Sequence, residues 1–208
     1  MNSISSKLVA ISTQKPLWVY AILLLLTLGV GSQIPRITID TDPENMLDAD
    51  HPARVFHNQT KADFGMYDAI VVGVVDDENS QGVYNQSSLT DIFDLTESIL
   101  AIDGVVDADL MSISTVDNIS QAGPGTIRFE WMMPNPPSDE AAAAQIQTNI
   151  ERLPLLYDTL VSQNGKAAAI YVPILDKNES YRIAEEIRAT INQFDGTEQW
   201  YITGLPVA

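Results

Sequence analysis

Hydrophobic and polar positions divide the chain into one long uninterrupted apolar stretch and, after it, a series of short periodic segments. The apolar stretch runs from Leu17 to Ile34 (LWVYAILLLLTLGVGSQI), 18 residues without a charge. As a helix it would extend roughly 27 Å, close to the hydrocarbon thickness of a bilayer. Trp18 and Tyr20 stand at its start, where amphipathic rings favour a membrane interface, and Gln33, Pro35 and Arg36 close the other end. The pattern predicts a transmembrane helix that includes Leu17, Trp18, Tyr20, Ile22, Leu25, Leu28 and Ile34. A cleavable signal peptide competes, because Gly29-Val30-Gly31 offers small residues at a spacing a peptidase accepts. The length of the apolar run and of the leader before it argues for the retained helix.

Beyond the span, Ile37 to Asp50 is acidic and broken by proline, the pattern of a stalk, and a helix is predicted from Pro52 to Phe64. Ala69 to Val75 is a continuous apolar run between aspartates, as in a buried central strand. Leu89, Ile92, Phe93, Thr96, Ile99 and Leu100 recur at spacings of three and four, predicting an amphipathic helix capped by Ser87 or Ser88 and ending near Gly104. Val105 to Ser114 reads as a strand, Asn118 to Gly125 as a loop, and Thr126 to Met133 as a strand stopped by prolines. Ser138 should cap the next helix, which Pro154 ends. Asn164-Gly165 between the runs Leu156 to Ser162 and Ala167 to Leu175 predicts a hairpin. A helix over Ser180 to Phe194 and a strand over Trp200 to Thr203 complete the series.

The order of elements contains the β-α-β-β-α-β arrangement of ferredoxin-like sheets. The expected fold is therefore α+β, with helices on one face of a mostly antiparallel sheet. The expected organisation is a cytoplasmic segment 1–16, a transmembrane helix 17–34, an acidic stalk and connecting helix 35–66, and an extracytoplasmic domain 67–208. The chain stops directly after a predicted strand, which leads us to expect a longer protein with a second span beyond it.

Charge sharpens the orientation. Lys7 and Lys15 are the only charges before the span, and from Arg36 onward nine basic residues face 28 acidic ones. Lysines ahead of a span favour a cytoplasmic N-terminus, although acidic residues contribute little to that rule. The main domain is thus expected outside the inner (plasma) membrane, in the periplasm. So acidic a surface repels phosphate backbones, which makes nucleic acid an improbable partner. With no cysteine in the chain, disulfides, thiolate catalysis and cysteine metal sites are excluded.

Candidate chemistry is sparse. Many carboxylates make acid–base pairs conceivable, but solvated surface explains them more simply. Asp40, Asp42, Glu44, Asp48 and Asp50 form the densest acidic cluster, yet the loop glycine of an EF-hand is replaced by Asn45. His51 and His57 have no third ligand nearby in sequence, and Gly29-Val30-Gly31 only imitates a dinucleotide motif. No catalytic residue, metal or cofactor is expected, and the chain is not read as an enzyme. Asn58, Asn85, Asn118 and Asn178 lie in N-x-[ST] sequons, which matter only in a glycosylating host. Phe64, Met66, Trp131, Met132 and Met133 are candidates for contact with a hydrophobic ligand, and core packing is the competing role for each.

Several stretches together resemble the N-terminal part of resistance-nodulation-division (RND) exporters, in particular the MMPL-like branch. They are Lys15-Pro16, the segment Ile39 to Leu47, Lys61-Ala62-Asp63-Phe64-Gly65 before the Ala69 strand, Val161 to Lys166, and Thr203-Gly204-Leu205-Pro206. The resemblance implies a first transmembrane helix and porter domain of a proton-driven transporter that exports lipids or other hydrophobic compounds. It implies the bilayer, a lipid-like substrate and the rest of the transporter chain as partners, and is compatible with a homo-oligomer. The proton-relay acids of that family sit in later membrane helices, and Leu17 to Ile34 contains none. A single-pass, membrane-anchored binding or adaptor protein is the alternative.

Overall fold

Pro16–Gly31 forms helix α1, in which every residue is uncharged and none is buried. Proline at its start supplies a helical φ where an N–H would be orphaned anyway. The structure, a computed structural model, describes residues 12–34 and 43–204. The expected span is corrected at its end: Ser32, Gln33 and Ile34 lie past the helix. There Ser32 N–H donates to Leu28 O (2.9 Å), and Ser32 Oγ donates to Gly29 O (2.8 Å). Gly29 and Gly31 have low helix propensity, which favours stopping here. α1 extends about 24 Å at 1.5 Å per residue. Among the described residues, no helix is long and apolar enough to cross a membrane.

The chain divides into two compact units, Met1–Thr41 and Asp42–Ala208. The acidic segment at 35–42 and the chain end at 205–208 lie outside the described residues. In the second unit, helix α2 (Pro52–Phe64) is capped by His51, whose Nδ1 accepts from Ala53 N–H at 3.2 Å. Gly65 stops it with φ +58, a conformation that costs glycine little.

Three strands make the main sheet: β1 (Asp68–Val75), β4 (Ala167–Ile174) and β5 (Gln199–Thr203). Their order is β4-β1-β5, with β1 antiparallel to both neighbours. The predicted strand Val105 to Ser114 is corrected. It touches β4 only through bridges at Val105–Ile174 and Met111–Tyr171, and a 3-10 turn at Asp107–Asp109 interrupts it. Asp107 Oδ1 accepts from Ala108 N–H at 2.8 Å, a local bond that competes with the ladder.

Ile70, Val72 and Val74 of β1 and Ala168, Ile170 and Val172 of β4 point into one core. Helices α3 (Gln86–Leu100) and α5 (Ser180–Ile191) fill the same core with Leu89, Ile92, Leu95, Ile99, Ile183, Ala184 and Ile187. Each large apolar side chain among them contributes about 2 kcal/mol by leaving water. On the opposite face Val71, Val75 and Tyr171 are only half-buried, and Tyr201 is exposed. The cap of α3 is Asn85 rather than a serine, its Oδ1 accepting from Ser88 N–H at 2.9 Å.

Between the Met111 bridge and β4 lie strands β2 (Asp117–Gly123) and β3 (Thr126–Trp131), then helix α4 (Glu140–Glu151). The segment expected as a loop, Asn118 to Gly125, is largely β2, paired antiparallel with β3 around Pro124-Gly125. Its polar sequence carries no strand signal, and the partner strand supplies the order. Asp139, not Ser138, caps α4 through Oδ1 and Ala142 N–H (2.8 Å). The expected hairpin at Asn164-Gly165 keeps only its second strand. Leu156 to Ser162 turns at Asp158 (φ +67) and bridges at Val161–Ala168. Next to Asn164, Gly165 O accepts from Val83 N–H at 2.9 Å, and a Cβ on Gly82 (φ +60) would lie 2.0 Å from that oxygen. No larger residue fits Gly82 without a backbone shift.

Candidate functional site

Strand pairing in the β2–β3 hairpin sets Ile119 opposite Phe129, and side-chain alternation places Ile127 and Trp131 on the same face. All four are exposed, and no residue of β3 is buried. A two-stranded hairpin with an open apolar face is unusual, since such ribbons are marginal without cover. Past Trp131 the chain turns inward: Met132 N–H donates to Val116 O at 2.8 Å, and Met132 and Met133 are both buried.

Trp131, which is 57% exposed, is shared between this face and a cavity of about 390 Å³. Phe93 and Leu100 of α3 form one wall of the cavity, Leu110 and Ala108 of the bridging segment another, and Met133 and Pro134 complete the apolar lining. Its polar lining is Glu97, Asp107, Ser114 and Thr115. Thr115 Oγ1 is already satisfied, donating to Leu110 O (2.8 Å) and accepting from Ser112 N–H (2.9 Å). The volume falls within the range of small-molecule pockets, which combine apolar walls with a few polar groups.

The five hydrophobic-ligand candidates separate. Trp131 and Met133 meet in the cavity just described. Met66 lines a second cavity of about 360 Å³ with Gly65, Tyr67, Ile174 and Leu175, beside the Lys61–Asp68 ion pair at 2.9 Å. Met132 packs in the core, and Phe64, 77% exposed, lines neither cavity. Of the predicted span residues, Leu17, Trp18, Tyr20, Ile22, Leu25 and Leu28 are exposed on α1, and Ile34 is exposed beyond its end. Periodicity alone assigns Phe93 and Leu100 to the core and does not single out Glu97 or Asp107. The available signal is the spacing of Phe93, Glu97 and Leu100, which puts them on one helix face.

A second polar cluster lies at the start of α3. Asn85 Nδ2 donates to Asp76 Oδ2 (3.1 Å), and Ser88 Oγ lies within reach of Asp76 Oδ2 (3.2 Å) and Glu198 Oε1 (2.5 Å). Burial raises the Asp91 carboxyl from 3.8 to about 6, with the charges of Glu198 and then Asp94 adding to it. Glu198 Oε2 has no hydrogen-bond partner among the described residues. Every bonded member of this cluster also serves to cap or anchor the helix, so we read it as structural. Burial, followed by the Glu151 charge and Tyr157, likewise pushes the Tyr84 hydroxyl above its usual range.

Asp40 and Asp42 of the acidic cluster lie outside the described residues. Among the described residues no group of three His, Asp or Glu side chains is arranged to hold a metal. Two of the four sequons are sterically closed. Asn85 and Asn118 are buried, and Asn118 Oδ1 accepts from Arg152 Nη2 at 2.8 Å. The comparisons add no relative: no family model matches the chain, and no curated protein matches it.

Proposed function

We propose that this chain supplies the first membrane helix and the extracytoplasmic porter domain, residues 36–208, of a proton-driven RND-type exporter of lipids or other hydrophobic compounds. The observation that carries the reading is α1: 16 uncharged residues, apolar on every side and none buried. A helix of that kind needs an apolar medium or a protein partner around it, because water opposes its exposure. At about 24 Å it is shorter than an average hydrocarbon core, and in this reading the bilayer thins locally around it.

Strand order supports the finer fold reading. If the bridging segment 105–111 is counted as an edge strand, the sheet runs β5-β1-β4-(105–111), each neighbour antiparallel. That is a βαββαβ ferredoxin-like layout with residues 112–166 inserted between its second and third strands. The insertion carries the hairpin and much of the cavity. In this reading the cavity wall of Phe93, Leu100, Trp131 and Pro134 takes up the hydrophobic substrate.

The test is efflux from the native cell. Deleting the gene should slow energised efflux of the hydrophobic dye N-phenylnaphthylamine, and an uncoupler should remove the difference between the strains. Trp131→Ala in the intact gene should reproduce part of the defect. An efflux rate unchanged by deletion would overturn the exporter reading in favour of a membrane-anchored binding protein.

A further inference from the structure

We propose that the cavity between α3 and the β3 end of the hairpin selects amphiphilic cations, a hydrophobic body carrying an ammonium group, over neutral or anionic amphiphiles. The inference deepens the exporter reading by naming the substrate class for the same site. It stands on three features of the lining.

First, the walls are apolar and chemically varied. Phe93, Leu100, Ala108 and Pro134 offer aromatic and aliphatic surface to a hydrocarbon body, with Leu110 and Met133 buried behind them. Second, the charges in the lining have one sign. Glu97 and Asp107 are both exposed carboxylates, and among the described residues no Lys, Arg or His lines the cavity. An anionic head group would meet two like charges and no counter-charge. Third, few donors remain in the lining. Thr115 Oγ1 gives its proton to Leu110 O, which leaves Ser114 as the other hydroxyl. A neutral head that needs donors gains little here, whereas an ammonium head brings its own positive charge to the two carboxylates. Trp131 adds an aromatic face, which attracts a cation through its quadrupole.

The two carboxylates are 10 residues apart in sequence and come from different elements, α3 and the 3-10 turn at Asp107–Asp109. Asp107 is held in part by its own bond to Ala108 N–H (2.8 Å). The same turn that breaks the predicted Val105 to Ser114 strand therefore brings a carboxylate to the cavity.

The experiment uses the full 208-residue chain in lipid nanodiscs, with Trp18→Phe and Trp200→Phe so that Trp131 alone reports. Decyltrimethylammonium and decyl sulfate, equal in chain length and opposite in charge, are titrated against Trp131 fluorescence, with empty nanodiscs as the partition control. We expect the cation to bind about tenfold more tightly than the anion, the combined effect of two solvent-screened charges and one aromatic face. Glu97→Gln with Asp107→Asn should remove most of that preference, and Glu97→Lys should reverse it. A charge-matched pair away from the cavity, Glu185→Gln with Asp195→Asn, should leave it in place, which separates the site from the general negative charge of the chain.

Equal affinity for the two amphiphiles, no binding of either, or a preference lost equally in the distant pair would overturn the proposal. The two readings fail separately. Cation-selective binding without any efflux defect on gene deletion refutes the exporter and leaves the site. Efflux of hydrophobic compounds with no charge preference at Trp131 refutes this inference alone.

Discussion

The main sheet and the β2–β3 hairpin are both antiparallel and both alternate the sides to which successive residues point, yet they use their apolar faces in opposite ways. In β1 and β4 the alternate residues Ile70, Val72, Ala168 and Ile170 close against α3 and α5. In the hairpin Ile119, Ile127, Phe129 and Trp131 remain in solvent. A row of apolar residues on one face thus produces a core in one place and an uncovered face in the other. The difference is whether a helix returns over the strand. α3 and α5 are the first long helices after β1 and β4 and pack back on them, whereas Phe129 in the hairpin stays uncovered.

The comparison breaks most sharply in stability. Ile170→Ala removes a fully buried side chain of the sheet and should cost about 3 kcal/mol in urea unfolding of the full chain held in mild detergent. A cost near that of a surface substitution would show that the sheet face is not the core.

A smaller effect is expected from Asp91, whose carboxyl sits beside Glu198 and Asp94 at the edge of that core. Its raised value means the folded state holds the proton more firmly than the unfolded chain. The stability this contributes is full below about pH 4 and is lost as pH rises through about 6. Asp91→Asn should flatten that slope and gain about 1 kcal/mol at pH 7, after discounting for solvent screening of a half-buried group. Unfolding midpoints measured between pH 4 and 7 check it; parallel curves for the two proteins would contradict it.

The smallest effect belongs to the hairpin. Phe129→Ala should change stability by no more than about 0.5 kcal/mol, because little of the ring leaves water on folding. A loss approaching that of Ile170→Ala would mean that the hairpin face is covered in the native protein.

Much of the second unit is legible in the residues. The spacing of Leu89, Ile92 and Ile99 marks α3 because it matches the helical period, and the short unbroken apolar run Ala69 to Val75 marks β1 as a buried strand. Asn118 to Gly125 hides its strand, since Asn-Ile-Ser-Gln-Ala-Gly has no strand signature of its own. Leu156 to Ser162 misleads in the other direction: its apolar residues serve turns and a single bridge to Ala168. The caps also differ from expectation, at Asn85 instead of Ser87 or Ser88 and at Asp139 instead of Ser138. Several adjacent residues can cap, and only the path of the entering chain chooses among them.

Trp131 and Met133 can be nominated as ligand contacts from their position before three prolines, whereas Phe93, Glu97 and Asp107 cannot. The sequence by itself determined the uncharged character of α1, the acidic balance of the residues beyond it, the helical periodicities of α3 and α5, and the apolar run of β1. Those depend on composition and on neighbours within one or two helical turns. Only the tertiary structure decided that β3 keeps its apolar face in solvent and that Asp107 turns out of a strand. It also decided that carboxylates from two separate elements share a cavity with Trp131. Each of these depends on contacts between residues distant along the chain, which no local pattern encodes.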